Sequence, residues 1–282
     1  MTRVRIVTDS TADLPADIVD QLGIYVVPLK VIFGTEEYRD GVDIKTKQFY
    51  ERLSAGELSM SSPPAPVDFL KVYEKSIAAN ESIISIHISS QLSATLNSAR
   101  TAKAVSGYED ITVIDSLSAS SGLGLMVMAA ARAANEGKTK EEIINLIKNV
   151  REKMKIYFVV DTLEYLIRGG RIGKIEGFVG SLFNIKPILT IKDGVILPFA
   201  KIMGKSRAVE KLLDIIAEDA GRAGENFVFS LIHGDDNAAL THLDQKIKTR
   251  LNKHEKTVSS EVGPVIGTHV GPRVVGLAYY AI

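Results

Sequence analysis

The sequence has 282 residues, of which 45% are hydrophobic, and 34 lysines and arginines balance 34 aspartates and glutamates. This length suits two domains, and the zero net charge argues against a general nucleic-acid binder. The absence of cysteine excludes disulfide bonds, thiolate chemistry and cysteine-based metal sites. No apolar signal region opens the chain, and its longest apolar stretch, residues 122–131, is too short to span a bilayer. We therefore expect a cytoplasmic protein.

Residues 1–154 alternate between strand and helix patterns. Runs rich in β-branched residues predict strands at 4–7, 24–33, 83–88 and 111–114. Capping signals and apolar periodicity predict helices at 15–22, 46–53, 68–79, 122–135 and 139–154, and another that begins near Ser93. Asp13 is the expected cap of the first helix, and Thr139 with Glu142 forms the capping box of the last. This alternation predicts an α/β domain with a parallel, doubly wound sheet.

Residues 155–282 have a different pattern. Strands are predicted at 156–160, 187–191, 195–202, 227–232 and 274–281, and helices at 206–220 and 238–251, besides a short helix before Gly169. Asp193 and Gly194 separate two of these strands and are a strong hairpin signal. A hairpin combined with helices predicts an α+β C-terminal domain, with the boundary near residues 153–156.

Three polar clusters, at residues 61–64, 89–93 and 266–272, are the main candidates for a binding site. The last places Thr268 beside His269 between glycines and a proline, which predicts a turn that presents both side chains outward. None of the clusters contains a cysteine, a carboxylate or a lysine. They therefore favour a site that holds a small anionic group through neutral donors. Two simpler interpretations stay open: Ser93 suits a helix cap, and the loop at 61–66 suits a surface linker.

Four charged side chains are weaker candidates. Arg168 and Arg171 lie in a glycine-rich segment that lacks the strand–loop–helix context of a phosphate loop, so ATP binding by this chain is not indicated. The same segment suits the C-terminal end of a helix. Asp9 and Asp115 each follow a predicted strand, where an aspartate can be a nucleophile or a metal ligand but more often stabilises a turn. The five histidines lack the spacing of metal ligands.

Six motifs, taken in order along the chain, resemble those of the DegV family of bacterial fatty-acid-binding proteins. They extend over nearly the whole chain and occupy residues 8–14, 61–69, 88–95, 163–172, 186–189 and 266–272. Three positions depart from the family pattern. Ser61 stands where threonine is usual, Ala94 where glycine is common, and Arg273 where glycine is frequent.

The resemblance implies a two-domain α/β protein that holds one long-chain fatty acid in an apolar tunnel between residues 1–154 and 155–282. Characterised members are the lipid-carrying subunit of fatty acid kinase, whose separate subunit binds ATP and phosphorylates the bound carboxylate. We therefore expect the fatty acid and such a kinase subunit as partners, with no catalytic residue, metal or further cofactor in this chain. A transient contact with a membrane surface is compatible with this role, and no nucleic-acid contact is expected.

Seven side chains acquire implied roles from the matching motif positions. They are Ser61, Ser93 and His269 for carboxylate binding, Ser62 and Thr268 near the headgroup, and Arg168 and Arg171 for contact with a partner or a phosphate. The alternatives are a stand-alone hydrolase or phosphotransferase that uses Asp9 or Asp115, and a lipid carrier or sensor without a kinase.

Overall fold

A computed structural model describes residues 3–173, 185–223, 227–250 and 255–282; residue 251, the predicted end of a helix, lies outside these ranges. The strands are β1 (Val4–Asp9), β2 (Tyr25–Val27), β3 (Lys30–Phe33), β4 (Glu36–Arg39), β5 (Ser59–Ser62), β6 (Ser82–His87), β7 (Ile111–Asp115), β8 (Lys155–Val159), β9 (Ile185–Lys192), β10 (Val195–Met203), β11 (Phe227–His233), β12 (Glu255–Glu261) and β13 (Val275–Ala281). The α-helices are α1 (Ala16–Leu22), α2 (Thr46–Ser54), α3 (Pro66–Ala78), α4 (Thr95–Ser106), α5 (Ser120–Asn135), α6 (Lys140–Lys153), α7 (Glu164–Arg168), α8 (Lys205–Ala223), α9 (Asn237–Arg250) and α10 (Pro264–Val270).

Four strands form the predicted parallel sheet, in the order β2-β1-β6-β7. Ile6 of β1 lies beside Ile84 of β6, which in turn lies beside Thr112 of β7. Helices α5 and α6 pack on one face of this sheet, and α3 and α4 pack on the other. All six residues of β6 are buried, as expected for a strand of a sheet covered on both faces. The doubly wound architecture predicted for the first half is confirmed.

The second half forms a six-stranded mixed sheet, in the order β10-β9-β8-β13-β11-β12. Its neighbouring strands are antiparallel except for β11 and β12, which run parallel. The predicted hairpin joins β9 to β10, and both Asp193 (φ 52°) and Gly194 (φ 82°) have the positive φ that such a turn requires. Helices α8 and α9 cover one face of the sheet. The α+β character is confirmed, whereas the division into domains at residue 154 stays a prediction.

The single strand predicted at residues 24–33 is wrong, because the structure divides this segment between two sheets. Strand β2 belongs to the parallel sheet, and β3 is the centre of a separate antiparallel sheet with the order β4-β3-β5. Pro28 lies between them and has no N–H to donate to a ladder. The predicted loop at 61–66 is partly wrong too, since Ser61 pairs with Val31 in this small sheet.

The turn predicted at residues 266–272 is also wrong, because most of it is the helix α10. Pro264 occupies the first helical position, where its fixed φ is favourable, and Gly271 ends the helix with a φ of 75°. A Cβ atom at Gly267 would lie 2.6 Å from Phe49, so a glycine is needed for α10 to pack this closely on α2. As a consequence Thr268 is buried, with only 6% of its surface exposed.

Asp13 does not cap the first helix as predicted. The N-cap position of α1 is Pro15, and no side chain caps it. The carboxylate of Asp13 instead accepts hydrogen bonds from the backbone N–H of Gly263 at 3.0 Å and from the hydroxyl of Ser120. Both donors are distant in sequence, so this role depends on the tertiary fold. The capping box of Thr139 and Glu142 at the start of α6 is confirmed.

Candidate functional site

A cavity lies where the three sheets meet. It has a volume of about 150 Å³ and opens to solvent through a wider mouth. The parallel-sheet half supplies the segment after β6 and the first turn of α5, and the small sheet supplies Leu29 and Ser61. The six-stranded sheet and α10 supply the remaining walls. The site therefore depends on segments from both halves of the chain.

Most of the cavity wall is apolar. Its aliphatic and aromatic side chains are Leu29, Ile88, Leu92, Ile156, Phe158, Ile191, Ile196, Ile232, Val262, Val265, Ile266, Val270 and Val274. Many of them, including Ile156, Phe158 and Val270, belong to one buried apolar cluster, so the packing of this cluster fixes the position of the wall. Among the described residues that line the cavity there is no aspartate or glutamate, and Arg171 is the only lysine or arginine. Such a wall suits an apolar ligand with an anionic end.

The polar end of the cavity is formed by a serine and a histidine from distant parts of the sequence. Ser61 at the edge of the small sheet places its Oγ 2.7 Å from Nε2 of His269 on α10. A neutral imidazole carries one N–H. If Nε2 carries the hydrogen, it donates to Ser61, and the serine hydroxyl is then free to donate to a ligand. An anion in the cavity would favour this tautomer.

Burial keeps the imidazole of His269 uncharged. Loss of solvation, together with the nearby charge of Arg171, lowers the pKa of His269 to about 4. Gly169 packs directly on the ring, since a Cβ atom there would lie 2.2 Å from Nδ1. No group in the described part of the chain forms a hydrogen bond with that buried Nδ1. At neutral pH the site therefore offers neutral donors, as the sequence predicted from the composition of the polar clusters.

Ser93 also lines the cavity, in the segment between β6 and α4. Its Oγ lies 2.9 Å from Oγ1 of Thr95 and accepts a hydrogen bond from the Thr95 N–H at 3.3 Å, while Ala94 occupies the N-cap position. Ser93 is therefore not the N-cap of α4, which no side chain caps; its hydroxyl forms a local bond with the first residue of the helix. Its binding role stays a prediction.

The two arginines of the glycine-rich segment differ in position. Arg171 lines the cavity, and its guanidinium donates to the carbonyl of Leu92 at 3.0 Å and to that of Gly169 at 2.6 Å. Arg168 is not among the described lining residues; it pairs with Glu164 one turn earlier on α7 and is partly exposed. Arg171 is therefore placed to meet a ligand, and Arg168 to meet a molecule outside the cavity.

Thr268 and Ser62 do not line the cavity in the part of the chain that is described. Thr268 contacts Ser59 of β5, with 3.0 Å between their hydroxyl oxygens, and donates to the carbonyl of Pro264. The contact with Ser59 holds α10 against the small sheet, and so it helps to place His269 beside Ser61. Ser62 donates only a long 3.4 Å hydrogen bond to the carbonyl of Pro63.

Two further serines that the sequence analysis missed line the cavity. Ser120 and Ser121 form the start of α5, which follows β7 in the same way as Ser93 follows β6. Because β6 and β7 are parallel neighbours, the segments after them meet at the same edge of the sheet. The cluster of small polar residues at 116–121 was therefore a usable signal in the sequence.

Asp9 and Asp115, on which the alternative enzymatic interpretation depends, take part in hydrogen bonds that stabilise the fold. Asp9 is fully buried, and its carboxylate lies 2.9 Å from Nδ1 of His87 and accepts from the Ile88 N–H at 3.1 Å. Asp115 accepts from the Ser90 hydroxyl at 2.6 Å and from the Leu117 N–H at 2.9 Å. Neither lines the cavity. Over the described ranges, no group of three or more potential ligands is placed to hold a metal ion.

Comparison with known proteins identifies the family. Residues 3–281 match the family described as "Uncharacterised protein, DegV family". A DegV domain-containing protein of Caldanaerobacter subterraneus is 34% identical over 279 residues, 99% of each chain. A solved DegV family structure from Thermus thermophilus, described by its fatty-acid binding, has a TM-score of 0.93 at 34% identity and covers 99% of this chain and 100% of that one.

A second solved structure is the DegV protein of Bacillus subtilis, described as a fatty acid binding protein. It has a TM-score of 0.88 at 31% identity and covers 100% of both chains. None of the helices in the described ranges is both long and apolar enough to cross a membrane. The chain belongs to the DegV family.

Proposed function

We propose that this member of the DegV family binds one long-chain fatty acid in the cavity, with the carboxylate at Ser61, Ser93 and His269. The observation that carries the proposal is the division of one cavity into a long apolar wall and a polar end of neutral donors beside a single arginine. Related proteins support the proposal, because two solved structures with more than 30% sequence identity are described as binding fatty acids.

The energetics favour an acyl chain as the main source of affinity. Each buried methylene contributes about 0.8 kcal/mol, so a chain of about fifteen contributes roughly 12 kcal/mol before the cost of association. The headgroup then needs orientation more than attraction. The Ser61 hydroxyl and the neutral His269 imidazole can provide orientation without a tight ion pair.

The binding proposal is tested by native mass spectrometry of the protein purified from its host. We expect one co-purified fatty acid per chain. The double variant Ser93→Ala/His269→Ala should lose most of it, whereas the matched double variant Ser54→Ala/His242→Ala, at exposed positions away from the cavity, should retain it. Equal retention by both variants would contradict the assignment of the polar end.

We also propose that the bound carboxylate is presented to a separate ATP-binding kinase subunit in the cytoplasm. In that reaction a carboxylate oxygen attacks the γ-phosphorus of ATP and ADP leaves, which yields an acyl phosphate. A carboxylate held by neutral donors keeps more of its nucleophilicity than one in a tight ion pair. Arg171 could then stabilise the added phosphate, and the partly exposed Arg168 is placed to contact the partner.

The kinase proposal is tested by incubating the lipid-loaded chain with Mg-ATP, with and without a cognate kinase subunit, and trapping acyl phosphate as the hydroxamate. We expect product only with both proteins, and no heat when Mg-ATP is titrated into this chain alone. Product from this chain alone would favour a stand-alone phosphotransferase. Lipid binding without product in the complete mixture would favour a carrier or sensor.

A further inference from the structure

Two buried carboxylates lie at the start of α10, whereas His269 lies in the last turn of that helix. Asp13 and Asp40 come from the loops after β1 and β4, and only 8% and 4% of their surfaces are exposed. A Cβ atom at Gly263, the N-cap of α10, would lie 2.8 Å from Oδ1 of Asp13 and 3.5 Å from Oδ1 of Asp40. Both carboxylates therefore lie close to one point and close to each other.

Asp13 connects two walls of the cavity. Its Oδ1 accepts from the Gly263 N–H at 3.0 Å, and its Oδ2 accepts from the hydroxyl of Ser120. Ser120 lines the cavity at the start of α5, and Gly263 begins the helix that carries His269. Asp40 lies beside the Ser10 side chain and the backbone of Val265 in the first turn of the same helix. We infer that Asp13 and Asp40 are positioning residues that hold α10 against α5 and thereby fix His269 at the polar end of the cavity.

The groups around Asp13 and Asp40 make it important whether these two carboxyls are protonated. The cleft beside it is lined by the acidic side chains of Asp9, Asp20 and Glu261, and no lysine, arginine or histidine occurs among its described lining residues. Tyr50 on α2 also faces this region and donates to the carbonyl of Val262 at 3.1 Å. Oδ2 of Asp40 is buried and has no hydrogen-bond partner in the described part of the chain. An ionised pair would therefore place two negative charges together without a cation.

The expected response to pH follows from this arrangement. Burial raises the pKa of Asp40 to about 7, and burial raises the pKa of Asp13 well above its usual range. A raised pKa means that the carboxyls bind more protons when α10 is packed against α5 than when α10 is detached and the carboxyls are solvated. Attachment is therefore strongest at low pH and weakens as the pH rises towards the raised values. Below about pH 7.5 a detached, solvated His269 also takes up a proton, but this contribution is present in every variant and cancels when the variants are compared.

The inference rests on the proposed function only for the identity of the ligand, and not for the positions of Asp13 and Asp40. The first measurement is therefore made on ligand-free protein. Hydrogen exchange of the α10 amides should be about tenfold faster or more in Asp13→Ala than in the parent. Asp13→Asn should restore slow exchange, because its amide oxygen can accept from Gly263 and its NH₂ group can donate to Ser120, as a protonated carboxyl does. Asp20→Asn is the matched control, because Asp20 is exposed in the same cleft.

The second arm compares these variants between about pH 6.5 and pH 8, with each rate divided by that of Asp20→Asn to remove the intrinsic pH dependence of exchange. Between these two pH values, the exchange rate of the α10 amides should rise by a factor about fivefold larger or more in Asp20→Asn than in Asp13→Asn. Release of a bound fatty acid to lipid vesicles should show the same difference: over this pH range it should accelerate more in Asp20→Asn than in Asp13→Asn. If Asp13→Ala does not fold, Ser120→Ala and Asp40→Ala probe the same contacts.

The outcomes separate this inference from the proposed function. Faster exchange in Asp13→Ala with rescue by Asp13→Asn supports the inference, even if no fatty acid binds. Unchanged α10 exchange in Asp13→Ala, or in both Ser120→Ala and Asp40→Ala, overturns it, even if fatty-acid binding is confirmed. Equal pH dependence in Asp13→Asn and Asp20→Asn overturns the role of Asp13 protonation.

Discussion

Replacing His269 by glutamine should remove a loss of stability that the ligand-free protein suffers in mild acid. Burial lowers the pKa of His269 from 6.5 to about 4. Below pH 6.5 the unfolded chain therefore takes up a proton that the native imidazole refuses, and the free energy of unfolding falls as the pH falls. One pKa unit corresponds to about 1.36 kcal/mol, so the loss reaches about 2.5 kcal/mol near pH 4.5.

The assay is urea unfolding, followed by circular dichroism, of the parent and of His269→Gln at neutral pH and near pH 4.5. The carboxyls of Asp13 and Asp40 give an opposite pH dependence, but they are present in both proteins and cancel in the difference. His242→Gln is the matched control, because that side chain is exposed on α9, with 49% of its surface accessible. Its difference from the parent should change little with pH.

Addition of fatty acid provides an internal check. A carboxylate within hydrogen-bonding distance of His269 would raise the pKa of the imidazole, because it favours the charged form. The parent with ligand should then lose less stability in acid than the parent without it. If His269→Gln and the parent have parallel pH dependences without ligand, the imidazole is not desolvated as described, and the reasoning about neutral donors is refuted.

Four other substitutions test the polar end and the two arginines. Ser61→Ala removes the hydroxyl partner of His269 and should weaken fatty-acid binding by about 1–2 kcal/mol, measured by calorimetry, with little change in melting temperature. Gly169→Ala places a methyl group 2.2 Å from the imidazole and should destabilise the protein by about 1–3 kcal/mol in thermal unfolding. Arg171→Glu should reduce fatty-acid retention, whereas Arg168→Glu should preserve retention and slow acyl-phosphate formation with a kinase subunit; the reverse order would contradict the positions of the two arginines.

The parallel sheet and the hairpin could be predicted because their signals are local. Apolar runs, caps and the Asp193–Gly194 turn act within a few residues, and the structure confirms the parallel sheet, the Thr139–Glu142 capping box and the hairpin. The small sheet could not be predicted in this way. Strands β3 and β5 have four residues each, and the segment at Pro28 that separates β2 from β3 is short. Short strands are stabilised by their partners rather than by their own sequence.

The candidate site was predicted better in its residue types than in its local conformations. Ser61 and His269 are 208 positions apart, so no local rule brings them together, and the resemblance to a family was needed to pair them. The segment around His269 contains two glycines and a proline, which favour a turn by propensity. Tertiary packing on α2 selects a helix instead, and the Pro264 position makes that helix compatible with the sequence.

The placement of the cavity connects ligand binding with the association of the two halves of the chain. Its walls come from all three sheets, and the bond between Ser61 and His269 joins the small sheet to the helix that precedes β13. A ligand that fills this space contacts both halves at once, so its binding free energy also opposes their separation. Binding to the native state alone stabilises a protein by RT ln(1 + [L]/Kd), about 4 kcal/mol at a thousandfold excess over Kd. The same apolar side chains therefore serve as a binding surface when the ligand is present and as an incompletely packed interface when it is absent.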